Sequence, residues 1–152
     1  MTGPELQFIF AARVAVGPPR AIGATPEGRK RVVPIVGGTF DGPSIRGTVV
    51  AGGADWQFDR EDGVTVVAAH YLLETDDGVS IEVRNEGLRH GPAAVMAKLA
   101  AGEKVDPDRY YFRAAPRFAA PSGKYDWLNR NVFVCAGARY PEFVELSFYQ
   151  LA

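Results

Sequence analysis

The sequence predicts an all-β protein, specifically an antiparallel up-and-down β-barrel of about eight strands with one short helix. Three observations carry this. Apolar residues recur at every second position along most of the chain, one pair of such runs forms an unmistakable hairpin, and only one segment has helical composition. Runs longer than the usual five or six residues suit the tilted staves of a barrel better than a sandwich, and closure removes exposed sheet edges. A barrel of this size is either filled by its own side chains or holds one small ligand.

The first strand is expected where Leu6, Phe8, Phe10, Ala12, Val14 and Val16 alternate with the other face. Gly17-Pro18-Pro19 stops it, because proline cannot donate to a ladder. A Gly/Pro-rich loop then leads to Lys30–Val36, where Pro34 marks an edge, a bulge or a bend. Gly37-Gly38 and Asp41-Gly42-Pro43 punctuate a return through Ser44–Val50, ended by Gly52-Gly53. The hairpin joins Val64–Thr75 to Val79–Glu86 through Asp76-Asp77-Gly78, with the glycine available for a left-handed position. The helix begins at Pro92, favoured in a first turn, runs through Ala101 and stops at Gly102. Strands over Arg109–Ala115, Val132–Arg139 and Glu142–Leu151 follow, with an irregular Pro/Gly segment between the first two.

Length, charge and cysteine content exclude several classes. A chain of 152 residues with 47% hydrophobic content and no internal linker forms one barrel domain over residues 1–152. Seventeen basic against 18 acidic residues leave no electrostatic footprint for nucleic acid or an anionic membrane. Cys135 is alone, so no disulfide framework or thiolate metal site is expected. The amino terminus lacks a cationic leader and no apolar run reaches the ~18 residues of a membrane span, so a cytoplasmic protein is expected. Apolar residues on both faces of the last strand, Phe143 and Tyr149 against Val144, Leu146 and Phe148, suggest a homodimer.

Several motifs occur in an order that resembles the bacterial family called domain of unknown function 3237. They are Gly37-Gly38-Thr39-Phe40-Asp41-Gly42-Pro43, Gly52-Gly53-Ala54-Asp55-Trp56, Tyr71 before Asp77-Gly78, Ile81-x-Val83-x-Asn85-x-Gly87, Tyr111-Phe112-Arg113 with Phe118, and Tyr125-x-Trp127-Leu128-Asn129. The resemblance runs over nearly the whole chain. It implies an up-and-down barrel and carries no settled activity; Ala119 stands where the resemblance leads one to expect an acidic residue.

Catalytic signatures narrow the chemistry. Gly42-Pro43-Ser44-Ile45-Arg46 lacks the last glycine of a nucleophile elbow, and neither a dinucleotide fingerprint nor a P-loop occurs, so no cofactor is expected. His70 and His90 have no metal-ligand spacing, so no metal is expected either. The strongest candidate is Asp55, which Gly52-Gly53 set beside the large aromatic Trp56; desolvation there raises a carboxylate toward general-base strength, unless Asp55 merely caps a turn. Tyr71 and Asn85 sit on apolar stripes and either orient a ligand inside the barrel or find a backbone partner. Arg113, at strand period from Tyr111, is expected inside, holding a substrate carboxylate or enolate, or paired with Asp55 or Glu82. Trp127 and Asn129 form either a lid or a plug at a barrel mouth.

Three functions compete on these residues. The first is a cofactor-independent isomerase, lyase or cyclase acting on a small carbonyl-bearing molecule, with Asp55 as base, Arg113 as anion stabiliser, Tyr71 catalytic beside them, and Trp56, Asn85, Trp127 and Asn129 binding the ligand. The others are a carrier or sensor of an apolar metabolite and an oligomeric interaction module.

Overall fold

The computed structural model describes residues 3–152, and they form one antiparallel sheet closed on itself. Its ten strands are β1 (Leu6–Val16), β2 (Arg20–Thr25), β3 (Gly28–Asp41), β4 (Arg46–Val49), β5 (Ala54–Asp59), β6 (Thr65–Thr75), β7 (Ser80–His90), β8 (Tyr111–Ala119), β9 (Phe133–Arg139) and β10 (Phe143–Leu151), with one α-helix, α1 (Ala93–Ala100). Around the barrel the order is β1, β10, β9, β8, β7, β6, then β4 and β5 sharing one position, then β3, which pairs back with β1. The barrel therefore has eight positions, and β2 extends β3 as a hairpin beyond the wall.

β4 and β5 share a position because each covers a different half of the same groove between β3 and β6. β4, over Arg46–Val49, bridges Thr39–Asp41 and Leu73–Thr75, and β5 bridges Arg29–Pro34 and Thr65–His70. The Gly/Pro-rich loop holds β2, and β5 occupies the stretch after Gly53 where no strand was expected. β3 also runs on through Gly37-Gly38 instead of stopping there. Both glycines have positive φ, and Val36 is accommodated as a bulge, since Ala15 faces Gly37 while Val16 faces Ile35.

The interior is uneven along the barrel axis. One half is packed solid by aromatics: Phe10 stacks on Phe148 with ring centroids 4.4 Å apart, Phe40 lies 5.3 Å from Phe10, and Phe118 meets Phe133 edge-on at 5.0 Å. Tyr125 and Leu128, from the loop after β8, are buried in the same cluster and cap it. In the other half, α1 packs Val95 and Leu99 with Val67, Tyr110 and Phe112, and a cavity remains between them and the aromatic cluster. The outer aromatics of β10 find partners within the chain: Phe143 stacks on Tyr140 at 4.8 Å and Tyr149 meets Phe8 at 5.9 Å.

Gly52-Gly53 sets where β5 begins. Gly52 has φ +112, and a Cβ on Gly53 would lie 2.5 Å from the Cβ of Tyr71 and 2.7 Å from the His70 carbonyl oxygen. Only glycine lets this backbone lie against β6 at the level of Tyr71. Gly53→Ala is expected to lower stability by about 1–3 kcal/mol, the usual cost of overpacking, and to displace Tyr71. Chemical denaturation, with the tyrosine ring resonances as a local readout, checks both parts.

Candidate functional site

β5 has the reverse of the usual barrel pattern: its polar residues face inward and its aromatic residues outward. Asp55 and Gln57 line the cavity while Trp56, between them, is 52% exposed on the outer wall. The register then builds a row of inward residues across the wall, Val33, Asp55, Ala69 and Asn85 in turn on β3, β5, β6 and β7. The next row carries Arg31, Gln57, Val67, Gly87 and Ala114. Small side chains at Ala69 and Ala114, with Gly87 between Val67 and Ala114 in the register, leave a cavity of about 90 Å³ whose wall also includes Gly17, Pro19, Tyr140 and Pro141. That is several times the ~10–15 Å³ needed for one water.

Asp55 is the only carboxylate lining this space, and it is held firmly. Its Oδ2 accepts from Gln57 Nε2 at 2.7 Å and its Oδ1 from the Ala68 amide at 3.0 Å. Gln57 is oriented in turn by Arg31 Nε, which donates to its Oε1 at 2.9 Å, and Arg31 forks onto Asp59, which also accepts from Thr65 Oγ1. Burial pushes the Asp55 carboxyl above its ordinary value, against the lowering effect of the Gln57 and Ala68 hydrogen bonds and of the Arg89 charge. Arg31, hydrogen-bonding Asp59, holds that second carboxyl below its ordinary value even though partial burial acts the other way.

Three buried polar atoms in the described residues have no hydrogen-bond partner, and all belong to residues lining this cavity: Tyr71 Oη, Asn85 Oδ1 and Arg89 Nε. Tyr71 and Asn85 are 4% and 5% exposed. An unmet buried group costs about 1–3 kcal/mol, and here three such groups fall on residues around one cavity. Burial raises the Tyr71 phenol well above its ordinary value, so it is present as a donor throughout the neutral range. Cys135 lies just behind, and burial pushes its thiol up to about 12, which leaves it an inert core residue.

The structure thus brings Asp55, Tyr71 and Asn85 together and separates the other expected site residues from them. Arg113 is a correction: it faces outward on β8, opposite the exposed Leu88, and its guanidinium bonds the Phe112 carbonyl at 2.9 Å and lies over Tyr111. The expectation placed Tyr111 and Arg113 on one face, and they do share one, but Phe112 and Ala114 take the inner face. Trp56 is likewise turned away from the cavity because Asp55 and Gln57 hold its inner neighbours' places. Trp127 packs against the aromatic cluster, 6.3 Å from Phe133, and Asn129 pins its loop by bonding both the amide and the carbonyl of Ala120. Both serve the filled half. The guanidinium inside the cavity is Arg89, two strand periods beyond Asn85 on β7, joined by Arg139 from β9. The spacing Asn85, Gly87, Arg89 was the signal that could have found Arg89. Among the described residues no cluster of metal-ligating side chains occurs, and no helix is long and apolar enough to cross a membrane.

Two outcomes test this geometry. Because the Tyr71 hydroxyl lacks a partner, Tyr71→Phe should melt at or slightly above the wild-type temperature, where loss of a satisfied buried hydroxyl would cost about 1 kcal/mol. For Asp55 the sign follows from its raised value: the folded state holds the proton more tightly than the unfolded, so wild-type stability falls as pH rises above about 4 through the folded value. The melting temperature of Asp55→Asn minus that of the wild type should therefore increase between pH 4 and pH 8. A flat difference in scanning calorimetry would show that Asp55 titrates normally.

Residues 4–151 match the family described as "protein of unknown function (DUF3237)", and the chain belongs to it. It is 38% identical over 145 residues to a UPF0311 protein of Clostridium acetobutylicum, covering 95% of this chain and 92% of that one. The crystal structure of a conserved protein of Rhodopseudomonas palustris superposes with a TM-score of 0.96 at 36% identity, each chain covered completely. A more distant relative, 30% identical over 149 residues, is named the hydroalkoxylation enzyme phnH of Penicillium herquei, with 98% of this chain and 83% of that protein covered. The crystal structure of an enzyme from Penicillium herquei superposes with a TM-score of 0.74 at 26% identity, covering all of this chain and 97% of the other.

Proposed function

We propose that this member of the family is a cofactor-independent acid/base enzyme that binds a small, partly apolar, carbonyl-bearing molecule in the barrel and adds a hydroxyl group across a carbon–carbon double bond, or reverses that addition. The observation that carries this reading is the single cavity carboxylate, oriented by Gln57 and the Ala68 amide, facing a space where Tyr71 Oη and Asn85 Oδ1 await partners. The relative named a hydroalkoxylation enzyme supports the reaction class.

The chemistry asks little beyond these side chains. The Asp55 carboxylate takes the proton of a substrate hydroxyl, whose oxygen attacks the far carbon of a double bond conjugated to a carbonyl. A C–O bond forms, the π bond breaks, and its electron pair passes to the carbonyl oxygen as an enolate. Tyr71 donates a hydrogen bond to that oxygen, and the proton on Asp55 returns to the carbon next to the carbonyl. Atoms and electrons balance with no change of oxidation state. A carboxyl raised by burial is suited to both halves, since a base whose acidity lies nearer the working pH gives its proton back readily. Asn85 lines the cavity and its Oδ1 is an acceptor without a partner, which fits a substrate hydroxyl before it is deprotonated.

The test uses a 2-hydroxyphenyl alkenyl ketone in D2O, whose ring closure to a chromanone is mass-neutral apart from one deuterium gained beside the carbonyl. The wild-type protein is expected to accelerate closure over buffer, and Asp55→Asn to lose about 10²-fold or more of that acceleration. Equal closure in wild type, variant and buffer overturns the reading.

A further inference from the structure

Arg89 has no evident structural duty. It is 2% exposed, the largest fully buried side chain of the protein, yet no carboxylate among the described residues lies within salt-bridge distance of it, and its Nε has no partner. Its one defined contact is the Phe112 ring, 5.2 Å from the guanidinium carbon, which fixes the plane of the group without neutralising it. Arg139 lines the same cavity and is equally without a carboxylate, while Arg31 is already bound to Asp59 and Gln57. The cavity wall thus carries two uncompensated guanidiniums against one carboxylate.

Burying one cation beside a second, half-buried one is costly, and proteins keep such an arrangement where an anion completes it. Burial and the neighbouring Arg139 charge pull Arg89 down to about 10, which still leaves it charged at neutral pH. Asp55 offsets Arg89 only through space: its oxygens are held by Gln57 and the Ala68 amide, and it forms no ion pair with either guanidinium. A planar oxyanion from a ligand can, because Nε together with a terminal nitrogen offers the two parallel donors of a guanidinium fork.

We propose that the molecule taken by this barrel carries an anionic oxygen, as a carboxylate, phenolate or stabilised enolate, seated on Arg89 and Arg139 while the reacting part lies toward Asp55 and Tyr71. This rests on reading the cavity as the substrate site. It does not require the addition reaction. The apolar wall between the charges, Val33, Val67, Phe112 and Val144, suits a carbocycle attached to that oxygen.

Titration of benzoate and its neutral analogue benzamide into the full-length protein, followed by amide chemical shifts, tests the proposal. Benzoate is expected to bind about 10- to 100-fold more tightly than benzamide, the span of a hydrogen bond to a charged group, with the largest shifts around residues 87–89, 112 and 139. Arg89→Gln should abolish the preference and leave benzamide binding unchanged; if that variant does not fold, Arg139→Gln, at a less buried position, should reduce benzoate affinity severalfold. Equal binding of the two probes, parallel loss of both in the variants, or no benzoate shifts at millimolar concentration overturns it. Asp55→Asn separates this from the reaction: benzoate preference surviving in that variant without deuterium incorporation by the wild type leaves the anion seat standing and removes the addition chemistry.

Discussion

Pairing of β1 with both β10 and β3 is the constraint on which the rest depends. Without it the sheet would be an open array with two exposed edges, and the residues described above as interior would lie on a solvated face. With it, every strand acquires an inside and an outside, and the alternation of side chains decides which groups lose water. The raised carboxyl of Asp55, the inert thiol of Cys135 and the uncompensated charge of Arg89 are all consequences of that one closure, since each shift has burial as its largest cause.

Closure also explains why the two halves of the interior can differ so sharply. The strands that bury Phe10, Phe118, Phe133 and Phe148 at one level carry Ala114, Ala69 and Gly87 at another or on neighbouring strands, so a solid plug and a hollow are made from the same staves. Tyr71 joins them: it is buried in the aromatic cluster and also lines the cavity, with its hydroxyl left without a partner. Val83 and Asn85 repeat the arrangement one strand further on, Val83 buried in the cluster and Asn85 unmet two residues away. Groups at this boundary are positioned by close packing beneath them, which fixes their direction more tightly than a loop would.

Much of this was legible in the sequence, because alternation and turn residues report directly on barrel staves. β1, the β6–β7 hairpin, α1 and the last two strands fall within a few residues of where the pattern put them. β5 was missed because its signature is inverted: in Ala-Asp-Trp-Gln-Phe-Asp the polar residues point in and the aromatics out, so apolar periodicity taken as the inner face suggests Trp56, not Asp55. β8 failed differently. Tyr111, Phe112, Arg113 and Ala114 give both faces similar character, and only the pairing of Phe112 with Arg89 and Arg113 with Leu88 across the sheet settles which side is inside. Parity on a strand of mixed character is a tertiary property, and no local count recovers it.

These failures fall in one place, and for a physical reason. A wall strand that only supports a core gains by putting apolar groups inward, and β1 obeys that rule from Phe10 to Val14, as the aromatic half does. β5 and the far half of β7 violate it together, sending Asp55, Gln57, Asn85 and Arg89 inward while Trp56 and Leu88 stay exposed. Reversing the parity of two strands that both pair with β6 costs burial on each and leaves polar atoms unmet, so folding alone gives no reason for it. The aromatic half supplies the stability that lets the fold carry this loss. On the proposed reading, a ligand that meets Tyr71, Asn85 and Arg89 at once offsets it by satisfying the three polar atoms that the chain itself leaves without partners.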